Sequence, residues 1–320
     1  MDRRLALRMI SQRILFTLLT LFVVSLGVFV LAQVIPGDLG RTMLGPYATP
    51  DQVAALNDEL GLNRPVLERY GEWIGGFVTG DWGVSPVMGV SVTTVLFEAL
   101  GKSLLLGAVA FAIAVPVSFI LGTVAAKRPG TRTDKLINML SVGASGVPDI
   151  VSGVVLISIF AVALRVFPST AQTTDPNPLT QIYYLLLPSL ALAPTMVGYL
   201  ARIVRENTRD VVQSDYVRTA VLKGIPRSII NRRHIQRNSI APSLAVFGAQ
   251  LAYLTTGIVA IERLFNYPGL GSVLFKATSS SDIVLLATGT MLAAVVMVII
   301  NFSADMSMIL LNPKLRTARA

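Results

Sequence analysis

No cysteine occurs in the 320 residues, and histidine occurs once, at His234. The first absence rules out disulfides, thiolate metal sites and cysteine nucleophiles, and it is silent on redox compartment. The second rules out paired-histidine zinc sites and the H-E-x-x-H arrangement. Charge is sparse as well: Asp, Glu, Lys and Arg make up 14% of the chain, where a soluble domain carries about a quarter. No group of aspartates is spaced for Mg²⁺-dependent phosphate chemistry. A phosphate loop is also missing, because "LGKS" at Leu100–Ser103 has Leu96 where the loop requires its first glycine. A membrane-embedded enzyme therefore lacks its constellation.

What is abundant is apolar sequence. Hydrophobic residues form 53% of the chain, the mean hydropathy is +0.65, and several runs exceed the roughly 18 residues that cross a bilayer. The first run, Ile14 to Ile35, follows Arg3, Arg4, Arg8 and Arg13. It is longer than a signal-peptide core and lacks a small-residue cleavage site, which predicts a retained transmembrane helix. Further spans are expected at Leu100–Ala126, Leu136–Leu164, Ile182–Val204, Ile240–Ile261 and Ile283–Leu311. Continuous runs of this kind predict helices rather than a barrel, since backbone groups in lipid must be satisfied within the segment.

Basic residues set the expected orientation. One set of alternate loops and ends holds 20 of the 27 Lys and Arg residues, and the opposite set holds Arg41, Arg64, Arg69, Lys102, Arg165, Arg263 and Lys276. Both termini are thus expected in the cytoplasm. The opposite side carries residues 36–99, polar and acidic, within which "TPDQVAALNDELGLNRP" reads as a helix capped by Thr49 or Asp51 and stopped at Gly61. The expected organisation is residues 1–35, the N-terminus and first helix; 36–99, a small helical extracytoplasmic subdomain; 100–312, a five-helix core; and 313–320, a cytoplasmic tail. The core includes a cytoplasmic loop at 205–239.

Two acids fall inside apolar runs. Asp149, after Pro148, is expected near the bilayer middle, and Ser145, one turn earlier, is expected to share a hydrogen bond with it. Asp305 lies in the last span. A satisfied interhelical contact accounts for either acid. The sharper reading has Asp149 on a translocation path, facing a cationic solute group.

The cytoplasmic loop contains "DYVRTAVLKGIPRSIINRRHIQRN", Asp215 to Asn238, with Arg218, Lys223, Arg227, Arg232, Arg233 and Arg237. A helix capped by Asp215 is expected to run to Leu222 and stop at Gly224. A second short helix would follow from Pro226, the two lying across the cytoplasmic face. Nucleic-acid binding is not indicated, because the basic residues lack interleaved aromatics and sit against the membrane. A basic loop that meets lipid headgroups obeys the same charge rule.

This loop resembles that of the permease subunits of ATP-binding-cassette importers, and within them the first permease subunit of the oligopeptide/dipeptide family. The matching residues are Asp215-Tyr216-Val217-Arg218-Thr219-Ala220, Lys223-Gly224, Arg233-His234, Arg237-Asn238 and Pro242. Arg218-Thr219-Ala220 stands where the family's Glu-Ala-Ala run lies. "IPGD" at Ile35–Asp38, "LGLNRP" at Leu60–Pro65, "GDWGVS" at Gly80–Ser85, "LPSLAL" at Leu187–Leu192, "YPGLG" at Tyr267–Gly271 and "LLNPKLR" at Leu310–Arg316 extend the likeness over nearly the whole chain. The resemblance implies an all-α integral membrane protein of six transmembrane helices, with the type I importer permease fold and a helical insertion after the first helix. It implies a bacterial inner-membrane location, a second permease subunit, two cytoplasmic ATPases that bind ATP and Mg, and an extracytoplasmic solute-binding protein. No cofactor is expected in this chain. The family's coupling helix falls on Asp215, Tyr216, Val217, Arg218, Thr219, Ala220, Lys223, Gly224 and Arg227. Tyr216 and Val217 would serve as apolar anchors, and Arg218, Arg227 and Arg232 would face acidic residues of the ATPase. The competing reading is a secondary transporter or channel that works alone.

Overall fold

A computed structural model describes residues 3–34, 39–45, 47–59, 61 and 63–311. The described residues are helical, with a single isolated bridge between Val84 and Ser91 and no strand. "IPGD", Leu60 and the tail 313–320 lie outside them, as does the side chain of Asp305. Among the described residues, four helices contain stretches long and apolar enough to cross a membrane: Ser11–Ala32, Val92–Ala126, Pro178–Val212 and Ile283–Ala304. A bent pair, Arg132–Gly146 with Asp149–Ala163, makes a fifth if counted as one span. The expected span Ile240–Ile261 falls within a helix from Arg237 to Leu264.

The chain divides into two compact units. One comprises Arg4–Ser103 and Pro268–Val298. It contains α1 (Arg3–Val34), α2 (Leu39–Leu44), α3 (Pro50–Glu59), α4 (Val66–Thr79), the start of α5 (Val92–Ala126), α12 (Leu270–Ser279) and much of α13 (Ile283–Leu311). The cap of α3 is Thr49 rather than Asp51. Its Oγ1 accepts from Gln52 N at 3.3 Å while Gln52 Oε1 accepts from Thr49 N at 3.0 Å, a reciprocal capping box. Gly61 has a positive φ of 68°, as the stop requires. The α4 helix docks on α1 through Ser25 Oγ and Tyr70 Oη, 2.7 Å apart, and through Phe29 against Tyr70 and Trp73. Ring contacts continue through Phe77 and Trp82 to Phe97 on α5. The Ser85 hydroxyl donates to the Asp282 carboxylate, whose Oδ1 accepts from Leu285 N at the start of α13. "LGKS" lies inside α5, with Lys102 paired to Glu98 at 2.6 Å and Ser103 Oγ accepting from Leu270 N. There is no loop to wrap a phosphate.

The second unit is built on Leu104–Tyr267. It holds the rest of α5, α6 (Arg132–Gly146), α7 (Asp149–Leu156) with a π-helical continuation Ile157–Ala163, α8 (Pro178–Val212), α9 (Asp215–Leu222), α10 (Arg227–Ile229) with a π-helical stretch Ile230–Gln236, and α11 (Arg237–Leu264). The centre of this unit is α8. Its most apolar stretch is 61% buried, where that of α1 is 11% buried. Leu106, Leu187, Leu192, Met196, Leu200, Ile261 and Phe265 form the core around it. Helix α6 comes very close at Gly198, where an added Cβ would lie 2.4 Å from Ser141 O and 2.8 Å from Ser145 N.

The expected continuous third span is broken. Val147 is extended (φ −87°, ψ 124°) and Pro148 follows, so α6 and α7 meet at 101°. The physical cause is the ring of Pro148, which clashes with helical geometry at the residue before it. The carbonyl released at Val147 lies 3.2 Å from Thr195 Oγ1 on α8, whose single proton it shares with the Asp149 carboxylate.

Candidate functional site

Two places in the second unit carry the residues singled out by the sequence. The first is the segment after α8. Asp215 opens α9, but it is the first helical residue, and Ser214 occupies the cap position with its hydroxyl turned back to Val211 O. The helix ends at Leu222, and Gly224 takes φ +71°. A Cβ there would meet nothing within 4 Å, so glycine serves the backbone turn and not a close contact. The expected second short helix is instead the beginning of a long one. From Arg227 the chain passes through the π-helical stretch straight into α11.

Helix α9 has two faces. Val217 and Ala220 are buried and pack with Ile230, Ile235, Val211, Val212 and Ile225. Val217 is therefore not an outward anchor; its burial holds α9 against its own chain. Tyr216 stays 43% exposed, with Oη accepting from Asn238 Nδ2 at 3.1 Å. Asn238 also donates to the backbone carbonyl of His234 at 2.8 Å, so its amide joins α9 to the turn that precedes it. The outward face carries Arg218, Thr219, Val221, Leu222 and Lys223, with Arg227 beyond the turn. Leu222, at 79% exposure, is the apolar residue the sequence reading missed. Arg218, Lys223 and Arg227 make no ion pair among the described residues. A rigid helix with exposed leucine, valine and tyrosine among free cations suits an acidic-rimmed apolar groove.

Below this segment, α6 and α8 are tied by a charged clamp. Arg205 Nε donates to Asp134 Oδ1 at 2.6 Å and Nη2 to Oδ2 at 3.0 Å, and Nη1 reaches Glu206. Asp134 also accepts from Gly130 N at 2.9 Å, in the turn between α5 and α6. Asp134 is buried, and the two parallel bonds fix geometry as well as charge.

The second place is the break at Pro148. Asp149 is the first residue of α7, where a carboxylate is favoured by the helix dipole. The expected Asp149–Ser145 hydrogen bond does not form, because the bend removes the helical register between them. Asp149 Oδ1 accepts from Thr195 Oγ1 at 2.7 Å. Ser145 Oγ donates to Val142 O at 3.0 Å and accepts from Arg202 Nη2 at 3.4 Å. Ser145, Thr195, Met196, Tyr199, Arg202 and Gln250 line a cavity of about 300 Å³. Sequence reading found Asp149 and Ser145 but not Thr195, Tyr199 or Arg202. The available signal was the i, i+4, i+7 spacing of those three on one face of α8.

The family model described as binding-protein-dependent transport system inner membrane component matches residues 118–317. A companion model, for the N-terminal part of such membrane components, matches residues 6–96. The chain is 30% identical to a probable peptide ABC transporter permease protein, y4tP, of Sinorhizobium fredii, over 96% of this chain and 98% of that one. It is 30% identical to the oligopeptide transport system permease protein AppB of Bacillus subtilis, with the same coverage. To the glutathione transport system permease protein GsiC of Escherichia coli it is 28% identical over 97% of this chain and 99% of the other.

Proposed function

The chain belongs to the family of binding-protein-dependent transport system inner membrane components, and from that premise we propose how its own residues act. It is a multi-pass membrane permease subunit of an ATP-driven importer, and ATP hydrolysis belongs to separate subunits. In the proposed arrangement six helices span the bacterial inner membrane and both termini are cytoplasmic. Support comes from the 20-to-7 division of basic residues and from the position of α11 over the Ile240–Ile261 run. Residues 36–99 form the extracytoplasmic helical subdomain that meets the solute-binding protein, and residues 313–320 form a cytoplasmic tail. A second permease subunit completes the pathway, and two ATPases bind ATP and Mg. The solutes are di- and oligopeptides, in keeping with what the relatives are named for.

The observation that carries the coupling role is the exposed face of α9, bounded by the left-handed turn at Gly224. Tyr216, Arg218, Thr219, Lys223 and Arg227 lie toward the ATPase, with Leu222 as the apolar tip, while Asp215, Val217 and Ala220 set the helix in place. ATPase closure moves α9, and the π-helical start of α11 and the Arg205–Asp134 clamp carry that motion to α11, α8 and α6. The deciding experiment is uptake by proteoliposomes holding the whole complex. Uptake that ceases when the ATPases or ATP are withheld supports this reading, and uptake by the chain alone without ATP sinks it in favour of a secondary transporter or channel.

A further inference from the structure

Arg202 lines the cavity between α6, α8 and α11, and it makes no ion pair among the described residues. A guanidinium has five N–H donors. Nε donates to Gly198 O at 3.3 Å and Nη2 to Ser145 Oγ at 3.4 Å, both long bonds to neutral acceptors. The other three N–H groups have no acceptor among the described residues. Two further lining groups are in the same condition: the Tyr199 hydroxyl and the Gln250 amide make no hydrogen bond among the described residues. The acids nearby are engaged elsewhere. Glu206, one turn beyond Arg202, pairs with Arg205, and Asp149 is bonded to Thr195 and is not part of the lining. The described lining thus holds one positive charge, three groups with donors to spare and no carboxylate.

Depth decides where a counter-ion can come from. The bond from Nε to Gly198 O turns the guanidinium back along α8, away from the polar end of the helix. Gly198 precedes Val204, the end of the apolar run, by six residues, which is about 9 Å of helix. Lipid phosphates stay at headgroup level, so an anion that meets Arg202 there arrives through the cavity. An unpaired cation at membrane depth is costly, and where it persists it faces a cavity and its occupant. The cavity, about 300 Å³, lies at the small end of the range for ligand sites and has room for an organic anion. The planar fork of arginine matches a carboxylate with two parallel bonds, and Met196 supplies an apolar wall for the carbon that bears it.

We propose that this cavity is a carboxylate site: it takes the carboxylate of an organic acid in the fork of Arg202, with Tyr199 and Gln250 donating beside it. The inference rests on the reading of the chain as a permease subunit and goes beyond it. It gives the membrane subunit its own selectivity for one charged group, whatever the rest of the solute is, with Arg202 as the residue that sets it.

The test exploits the absence of cysteine from the chain. In the assembled complex, without ATP, Gln250→Cys places a single thiol of this subunit in the cavity wall, and the intact mass of the subunit reads its modification. The reagents are sulfonatoethyl and trimethylammonioethyl methanethiosulfonate, an anion and a cation of similar size. The anion-to-cation rate ratio is expected to be about tenfold higher with Arg202 than with Arg202→Gln, as one charge-assisted contact implies. Loss of the charge should slow the anion and quicken the cation, whereas a collapsed or loosened cavity would move both rates the same way. Propionate should slow modification severalfold and propionamide should not. Arg202→Lys should keep the rate ratio and lose most of the protection by propionate, because lysine lacks the fork. Equal ratios with and without Arg202 overturn the proposal, and so does protection by propionamide equal to that by propionate. Absence of modification in both Gln250→Cys and Ser145→Cys overturns it as well, since the cavity is then closed to solutes. Because no ATP is used, uptake that proves independent of the ATPases while the charge ratio holds counts against the importer reading alone.

Discussion

Tyr216 and Asn238 are 22 residues apart and joined by a hydrogen bond of 3.1 Å, Asn238 Nδ2 donating to the phenol oxygen. The bond fastens α9 to the start of α11 at the point where the intervening chain turns through Gly224 and π-helical geometry. Tyr216→Phe keeps the ring and removes the acceptor, at a cost of about 1 kcal/mol. It should loosen α9 without releasing the ATPases. The expected outcome is co-purification of the ATPases with uptake per ATP hydrolysed reduced.

Leu222 should behave differently. It is the most exposed apolar side chain of α9 and touches little of its own chain. Leu222→Glu is expected to leave the thermal stability of the subunit unchanged and to reduce co-purified ATPase severalfold. Val217→Ala, made on the buried face, should do the opposite and lower the melting temperature.

At Gly224 the cost is one of backbone conformation, because φ is +71° and the space around a Cβ is open. A left-handed residue costs about 1–2 kcal/mol for most L side chains and less for asparagine. Uptake should therefore rank parent, Gly224→Asn, Gly224→Val. A Gly224→Val protein with full uptake would remove the turn from the coupling role.

The contact at Gly198 is steric. Any Cβ there meets Ser141 O at 2.4 Å, on the backbone of α6. Gly198→Val is expected to destabilise by about 1–3 kcal/mol through forced separation of α6 and α8, read as a lower melting temperature of the solubilised protein.

Alkaline pH should report on Tyr267. Burial first, and then the Glu262 carboxylate, push its phenol from 10.0 up to about 12. The folded chain holds the proton more tightly than the unfolded chain, so this contribution to stability is whole below pH about 10 and is lost as pH rises toward about 12. The melting temperature of the parent should fall across that window more steeply than that of Tyr267→Phe.

Much of this protein is legible in its sequence. Apolar runs predict the helices, Thr49 or Asp51 predicts a cap, of which Thr49 forms it with Gln52, and Gly61 and Gly224 mark turns that take positive φ. Helix α9 is legible to its last residue, Leu222. What periodicity misses is the interruption of a run. Leu136–Leu164 reads as one span because apolar residues dominate it on both sides of Pro148, yet Pro148 turns it by 101°. It misses direction as well: Val217 reads as an anchor for a partner, and only Ile230 and Ile235, brought back by the Gly224 turn, reveal that it faces inward.

The division has a physical reason. Local forces act within a few residues, so hydropathy, capping and the proline effect on its neighbour are written along the chain and fix helices, stops and the site of the break. Side-chain pairings depend on which helices approach, and Gly198 permits an approach that no window of sequence displays. That approach sets Thr195 against Asp149 and Val147 and brings Arg202 to Ser145. The sequence by itself determined a helical membrane permease subunit with a basic segment after α8. Only the tertiary packing decided that Asp149 would meet Thr195 and that Arg202 would meet Ser145, because these partners come from helices far apart in the chain.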